Sequence, residues 1–143
     1  MTTSTPSESN DDHSWTAVTR AIRVTVQPRY MPGESAPEEE RYVFAYTVEI
    51  VNEGDETVRL VARHWRIIDG RGRTEEVRGP GVVGEQPVLP PGQSYTYTSG
   101  APLPTPSGIM VGAYQMQTDA GQPFDVAIPA FALESPHAVR TLH

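Results

Sequence analysis

Three glycines, Gly79, Gly81 and Gly84, follow the spacing G-x-G-x-x-G, and Arg78 stands directly before them. In a dinucleotide-binding unit this spacing opens a helix whose N-terminal amides meet a pyrophosphate. Here Pro87, Pro90, Pro91 and Gly92 follow at once. Proline lacks an amide hydrogen and clashes with the preceding turn, so no helix runs there. A nicotinamide site is not expected. A weaker chemistry remains. Glycine-rich turns can present successive backbone N–H groups to phosphate or carboxylate, and Arg78 would add a charge-assisted contact. Arg63 or Arg66 can approach the same loop across a sheet. The candidate ligand-binding set is therefore Arg78, Gly79, Gly81, Gly84 and Arg63. The plainer reading of the glycines is that they let the chain cross between two sheets with positive φ.

Other chemistry finds little support. His13, His64, His137 and His143 are far apart and form no H-x-H or H-E-x-x-H spacing. The acidic run Glu38-Glu39-Glu40 lacks the Asp/Asn/Gly pattern of a calcium loop. No metal site is expected. Ser94, Ser99 and Ser107 are available as nucleophiles, but His64 is the one histidine inside the folded part, and no G-x-S-x-G elbow exists. No catalytic residue is assigned, no cofactor is expected, and the reading is of a non-enzyme.

Composition narrows the partners. The formal net charge is -7, whereas nucleic-acid binders show a basic excess, so nucleic acid is not an expected partner. All eleven cationic side chains are arginine, which removes Schiff-base and Walker-A lysine chemistry. There is no cysteine, hence no disulfide framework. No apolar run approaches the ~20 residues of a membrane span. The polar, acidic N-terminus does not resemble a secretory signal, and a cytoplasmic location is the expectation. The residues set no oligomeric state.

The elements that must position these residues read as strands. The 14 Pro and 12 Gly favour short segments joined by turns. Residues 1–18 are poor in apolar side chains and read as a disordered acidic/polar extension with Trp15 exposed in it. Ile22, Val24 and Val26 alternate with polar residues, as a half-buried strand does. Pro28–Glu40 reads as a long loop. Tyr42, Phe44, Tyr46, Val48 and Ile50 fall on one face of the strongest strand. Thr57–Asp69 is another strand whose alternation breaks, which a β-bulge would resolve, and Trp65 on it reads as the central core aromatic. Asp69-Gly-Arg-Gly72 is a hairpin signal. Further strands begin at Gln93, Ile109 and Phe124, and residues 134–143 read as a weakly held tail. Seven or eight short strands without an amphipathic helix predict an all-β, antiparallel two-sheet sandwich of immunoglobulin or fibronectin type III style.

Several motifs in order resemble one family. They are Arg41-Tyr-Val-Phe-Ala-Tyr-Thr-Val48, Arg63-His-Trp65, Gly81-Val-Val-Gly-Glu-Gln-Pro87, Tyr95-Thr-Tyr-Thr-Ser-Gly100, Met110-Val-Gly-Ala-Tyr-Gln-Met116, and Phe124 through Ile128-Pro-Ala-Phe131. They are similar to the ApaG family over residues 20 to 133, and residues 19–143 are expected to form one such domain. The resemblance implies a fibronectin type III-like sandwich. Such domains also occur fused to F-box proteins and to a polymerase-interacting protein, which implies recognition of another protein. A historical label links the family to cobalt and magnesium efflux. The expected function is thus protein–protein recognition through a sheet face or the Gly79–Pro91 loop. The alternative is a sensor of a small phosphate-containing anion.

Overall fold

The strand with the cleanest alternation stands at the middle of one sheet. A computed structural model describes residues 14–138. Nine strands run in order among the described residues: β1 (Trp15–Thr19), β2 (Ile22–Tyr30), β3 (Tyr42–Asn52), β4 (Val58–Asp69), β5 (Thr74–Pro80), β6 (Val88–Leu89), β7 (Ser94–Leu103), β8 (Ser107–Thr118) and β9 (Pro123–Glu134). One sheet has the order β1-β2-β3-β7; the other has β5-β4-β8-β9, with β6 paired to β4. Every pairing is antiparallel. The expected all-β two-sheet sandwich is what forms. Its strand count exceeds the seven or eight expected, because β1 and the two-residue β6 carry weak local signals. Among the described residues no helix is long and apolar enough to cross a membrane.

The core follows from the period of two. Tyr42, Phe44, Tyr46, Val48 and Ile50 are all buried, as are Ile22, Val24 and Val26 on the neighbouring strand. From the other sheet Leu60, Trp65, Met110, Tyr114, Met116, Val126, Ile128 and Phe131 face them. On β4 the expected bulge is present: the register with β8 shifts between Leu60 and Ala62. The extra residue moves the inward parity from Val58 and Leu60 to Trp65. Trp65 is 2% exposed and meets Tyr46 at 5.4 Å and Phe131 at 5.9 Å between ring centroids.

Two boundaries differ from the sequence reading. Residues 1–13 lie outside the described residues, but Trp15–Thr19 is a strand paired with β2. Trp15 packs on the core, with its ring 6.3 Å from that of Phe131. Residues 15–18 are therefore strand, not part of an extension. The cause is the β1–β2 turn, Arg20-Ala21, which has no glycine yet holds φ 49 and φ 65. The Arg20 guanidinium sits 4.4 Å over the Phe124 ring, and Glu53 donates its N–H to the Ala21 carbonyl. Tertiary contacts fix a turn that local sequence does not announce. At the other end, Ser135 is buried and donates its N–H to Pro106, and His137 lies against Tyr30 and Tyr42. The tail is thus held through residue 137, and residues 139–143 lie outside the described residues. Pro28 also belongs to β2 rather than to a loop. It stands beyond the end of β1, where among the described residues no neighbour needs its missing N–H. The segment after β2 forms two short 3-10 turns, Pro32–Glu34 and Pro37–Glu39.

A cluster of phenols lies between the sheets. The Tyr97 and Tyr114 hydroxyls hydrogen-bond each other. Burial raises the pKa of Tyr46, Tyr97 and Tyr114 above the ordinary tyrosine value, more than the nearby Arg63 charge lowers it. The consequence for stability has a definite sign. Below the unfolded value of 10.0 both states are protonated and nothing is lost. As pH rises past it, the unfolded chain loses its protons first, so stability falls. Urea midpoints should hold steady up to about pH 10 and drop steeply above it. Tyrosinate absorbance from these three residues should appear only with unfolding. Free ionisation of all six tyrosines in the folded protein near pH 10 would contradict this burial.

Candidate functional site

The segment between β5 and β7 carries the glycines singled out by their spacing. The β4 bulge anchors it. The Val61 carbonyl accepts the Gly81 N–H at 2.8 Å and the Gln86 side-chain amide at 2.8 Å. The Leu60 N–H donates to Pro87 at 3.0 Å. A bulge releases a backbone group from its ladder, and here that group fixes a loop to the sheet.

Arg63 completes the anchor from within. The shifted parity turns its side chain toward the interior, onto the same face as Trp65. Its Nη1 donates to the carbonyls of Pro80 at 3.0 Å and Gly81 at 2.9 Å. The guanidinium lies flat against Gly79: a Cβ there would meet Nη1 at 3.0 Å and Cζ at 3.2 Å. Glycine at 79 is therefore a space requirement set by Arg63. Glycine at 81 is a stricter one, with φ 59 and the Glu85 carbonyl 2.1 Å from where a Cβ would stand.

Arg78 goes elsewhere. It pairs with His64 across the β4–β5 ladder, whereas Gly79 pairs with Arg63. Neighbouring strand positions face opposite sides of a sheet, so the two arginines do not converge. The Arg78 guanidinium is well exposed and donates to the Glu76 carboxylate at 3.2 Å. That hydrogen bond, and then the one from His64 at 3.4 Å, hold the Glu76 carboxyl below its ordinary range. The five residues named from spacing thus divide. Arg63, Gly79 and Gly81 form the anchor, Gly84 lies in the turn beyond it, and Arg78 stands on the outer face. Three of the loop's amides are also engaged: Gly81 donates to Val61, Val82 to Glu85, and Glu85 to Val82. These three amides are spent inside the loop and do not point at an anion. Among the described residues no group of three or more His, Asp or Glu converges as metal ligands do.

The tip of the loop was not read from spacing. Val82 and Glu85 exchange two 2.8 Å hydrogen bonds and enclose the two-residue turn Val83-Gly84. Both turn residues have positive φ, 40 and 83. This is the type I′ geometry that favours Asn-Gly. A β-branched residue at such φ is an outlier, because its branched Cβ crowds the backbone. Val82 is fully buried, yet Val83 is 55% exposed. With more than half of Val83 open to solvent, little packing is available to offset the strain. Val88, further along the loop, is 49% exposed.

Comparison with known proteins gives a consistent match. The family model described as ApaG domain matches residues 32–118. The Protein ApaG of Methylorubrum extorquens (strain PA1) is 62% identical over 127 residues, covering 89% of this chain and 98% of the relative. That of Rhodospirillum centenum is 63% identical over 123 residues, covering 86% and 95%. A crystal structure of a Bordetella pertussis protein assigned as ApaA superposes with a TM-score of 0.79 at 50% identity, over 82% of this chain and 95% of that one. The C-terminal domain of Wzt shares the fold alone, with a TM-score of 0.51 at 10% identity over 92% of this chain and 81% of that one.

Proposed function

The chain belongs to the ApaG family, and from that premise we propose that it is a non-enzymatic module that recognises another protein through the Gly79–Pro91 loop. The observation that supports this reading is Val83. A valine in left-handed backbone conformation stores strain of order 1–3 kcal/mol, and at this tip its side chain is more than half exposed rather than buried in the domain. Strain of this kind persists where function needs it. An apolar side chain held out on a rigid turn suits an anchor entering a partner's pocket. The Arg63 clamp and the Val61 carbonyl pre-order the turn, which lowers the entropy lost on binding. Apolar Val88 can extend the contact.

The test separates stability from recognition. Asparagine adopts positive φ more readily than valine, so Val83→Asn should raise the unfolding free energy by about 1 kcal/mol. The same change removes the anchor, so proteins captured from lysate by the wild-type chain should be lost. A variant both more stable and unable to capture fits no reading in which the loop only crosses between sheets. Undiminished capture by Val83→Asn overturns the proposal.

The phosphate reading makes a different forecast. Pyrophosphate, ADP or ATP at 100 times Kd would add ~2.7 kcal/mol of stability, and Arg78→Ala would abolish the gain. With the amides of Gly81, Val82 and Glu85 already bonded, no such shift is expected.

A further inference from the structure

We propose that the free edge of β7 is a self-association surface, on which a second copy of this chain adds its own β7 antiparallel about a two-fold axis at Thr96.

An edge strand leaves half of its backbone N–H and C=O groups facing away from the sheet, and proteins guard such edges by shortness, charge, proline or bulges. Three of the four sheet edges here are guarded. β1 has five residues, and its Thr19 hydroxyl accepts the Ala127 N–H of β9. β5 carries Glu75, Glu76 and Arg78 and ends at Pro80. β9 contains Pro123, Asp125 and Pro129. β7 has ten residues and pairs only with β3. It has no charged residue and no proline before Pro102, and its register with β3 is unbroken from Ser94 to Leu103. No Asp, Glu, Lys, Arg or His occurs anywhere from Gln86 to Thr118. Among the described residues no hydrogen bond reaches the outer side of its backbone.

The sequence of the strand favours a second copy over a foreign strand. A two-fold contact must be self-complementary, since each residue meets its symmetry partner. With Thr96 opposite the second copy's Thr96, Tyr95 faces Tyr97, and Ser94 faces Thr98. Every position from Ser94 to Thr98 then sets a hydroxyl residue opposite a hydroxyl residue. Thr–Thr and Thr–Ser pairs of this kind stabilise antiparallel ladders. The fold already contains one, where the Thr47 and Thr98 hydroxyls lie 2.9 Å apart. The result is an eight-stranded sheet continuous across two molecules. Charge fits as well. Two chains of net charge -7 repel as wholes, so they approach best along an uncharged edge. Salt should therefore tighten the association by screening the repulsion.

Sedimentation of the full-length chain over a concentration series tests this. A monomer–dimer equilibrium that strengthens with salt is expected. Thr96→Arg places two like charges opposite each other and should weaken the dimer roughly tenfold or more. Because the chain has no cysteine, Thr96→Cys should oxidise to a disulfide-linked dimer. Glu49→Cys, on the neighbouring strand in the same cross-strand row, should not. The cross-link keeps the test decisive if Thr96→Arg folds poorly. A chain monomeric at every concentration overturns the proposal, even if β7 binds an unrelated extended peptide. So does a dimer in which Thr96→Cys fails to cross-link. The Val83 reading is independent, because Val83→Asn should leave this dimer intact.

Discussion

Trp65→Ala is expected to cost about 3–5 kcal/mol of folding free energy, the range for removing a buried aromatic. The indole is 2% exposed and joins the two sheets. It lies edge-on to Tyr46 of β3 and to Phe131 of β9, with interplanar angles of 66° and 86°. Aromatic pairs in this arrangement add roughly 0.5–1.5 kcal/mol beyond their buried area. The walls of the resulting void are hydrogen-bonded strands, which collapse poorly, so the cavity cost stays near its upper range. Trp65→Phe should recover part of the loss. Trp15 is the other tryptophan and remains as a fluorophore, so unfolding in urea can be followed by fluorescence and circular dichroism together. A loss below about 1 kcal/mol would place the indole outside the core.

Gly112→Ala should be comparably severe, at about 3 kcal/mol or more, because overpacking a core forces backbone movement. Gly112 pairs with Trp65 across β4 and β8. A Cβ there would stand 2.2 Å from the His64 carbonyl oxygen, 3.1 Å from the indole Cε3 and 3.2 Å from the Trp65 Cα. The carbonyl belongs to a paired strand and cannot withdraw without breaking the ladder. The register with β9 already shifts between Met110 and Gly112, so neither side of β8 has slack. Combining both substitutions sharpens the test. Trp65→Ala removes the overlap with the indole but not that with the His64 carbonyl. The double variant should then lose less than the sum of the two, by about 0.5–3 kcal/mol as for residues in contact, while staying less stable than Trp65→Ala alone. Gly33→Ala is the control, since a Cβ at Gly33 meets nothing within 4 Å. It should change stability by less than about 0.5 kcal/mol. If Gly112→Ala proves equally mild, the close approach of β4 to β8 at this point is disproved.

Much of the fold was legible because burial on one face of a strand writes a period of two into the residue types. β3 carries that period unbroken from Tyr42 to Ile50. On β4 the conflict between the parity of Val58 and Leu60 and that of Trp65 was itself a signal, since only an inserted residue reconciles them. The candidate loop was legible in part. Glycine at 79, 81 and 84 marked a segment needing close approach or positive φ, and the prolines after it removed the helix of a dinucleotide site. The tip was not legible. Valine is among the residues least suited to positive φ, so local propensity points away from the turn that Val83 occupies.

Residue types alone determined the sandwich and the position of Trp65 in its core, because these follow from side-chain size, polarity and backbone sterics. Tertiary structure alone decided what the arginines do. The bulge at Val61 turned Arg63 inward onto the carbonyls of Pro80 and Gly81, while strand alternation left Arg78 outside with Glu76. It also closed the Arg20-Ala21 turn through the ring of Phe124 and drew Trp15 onto Phe131. Apart from Arg78 and Glu76, the partners in these contacts lie far apart along the chain. Their energies exceed local preference only once folding has brought them together, and a reading confined to neighbouring residues has no access to them.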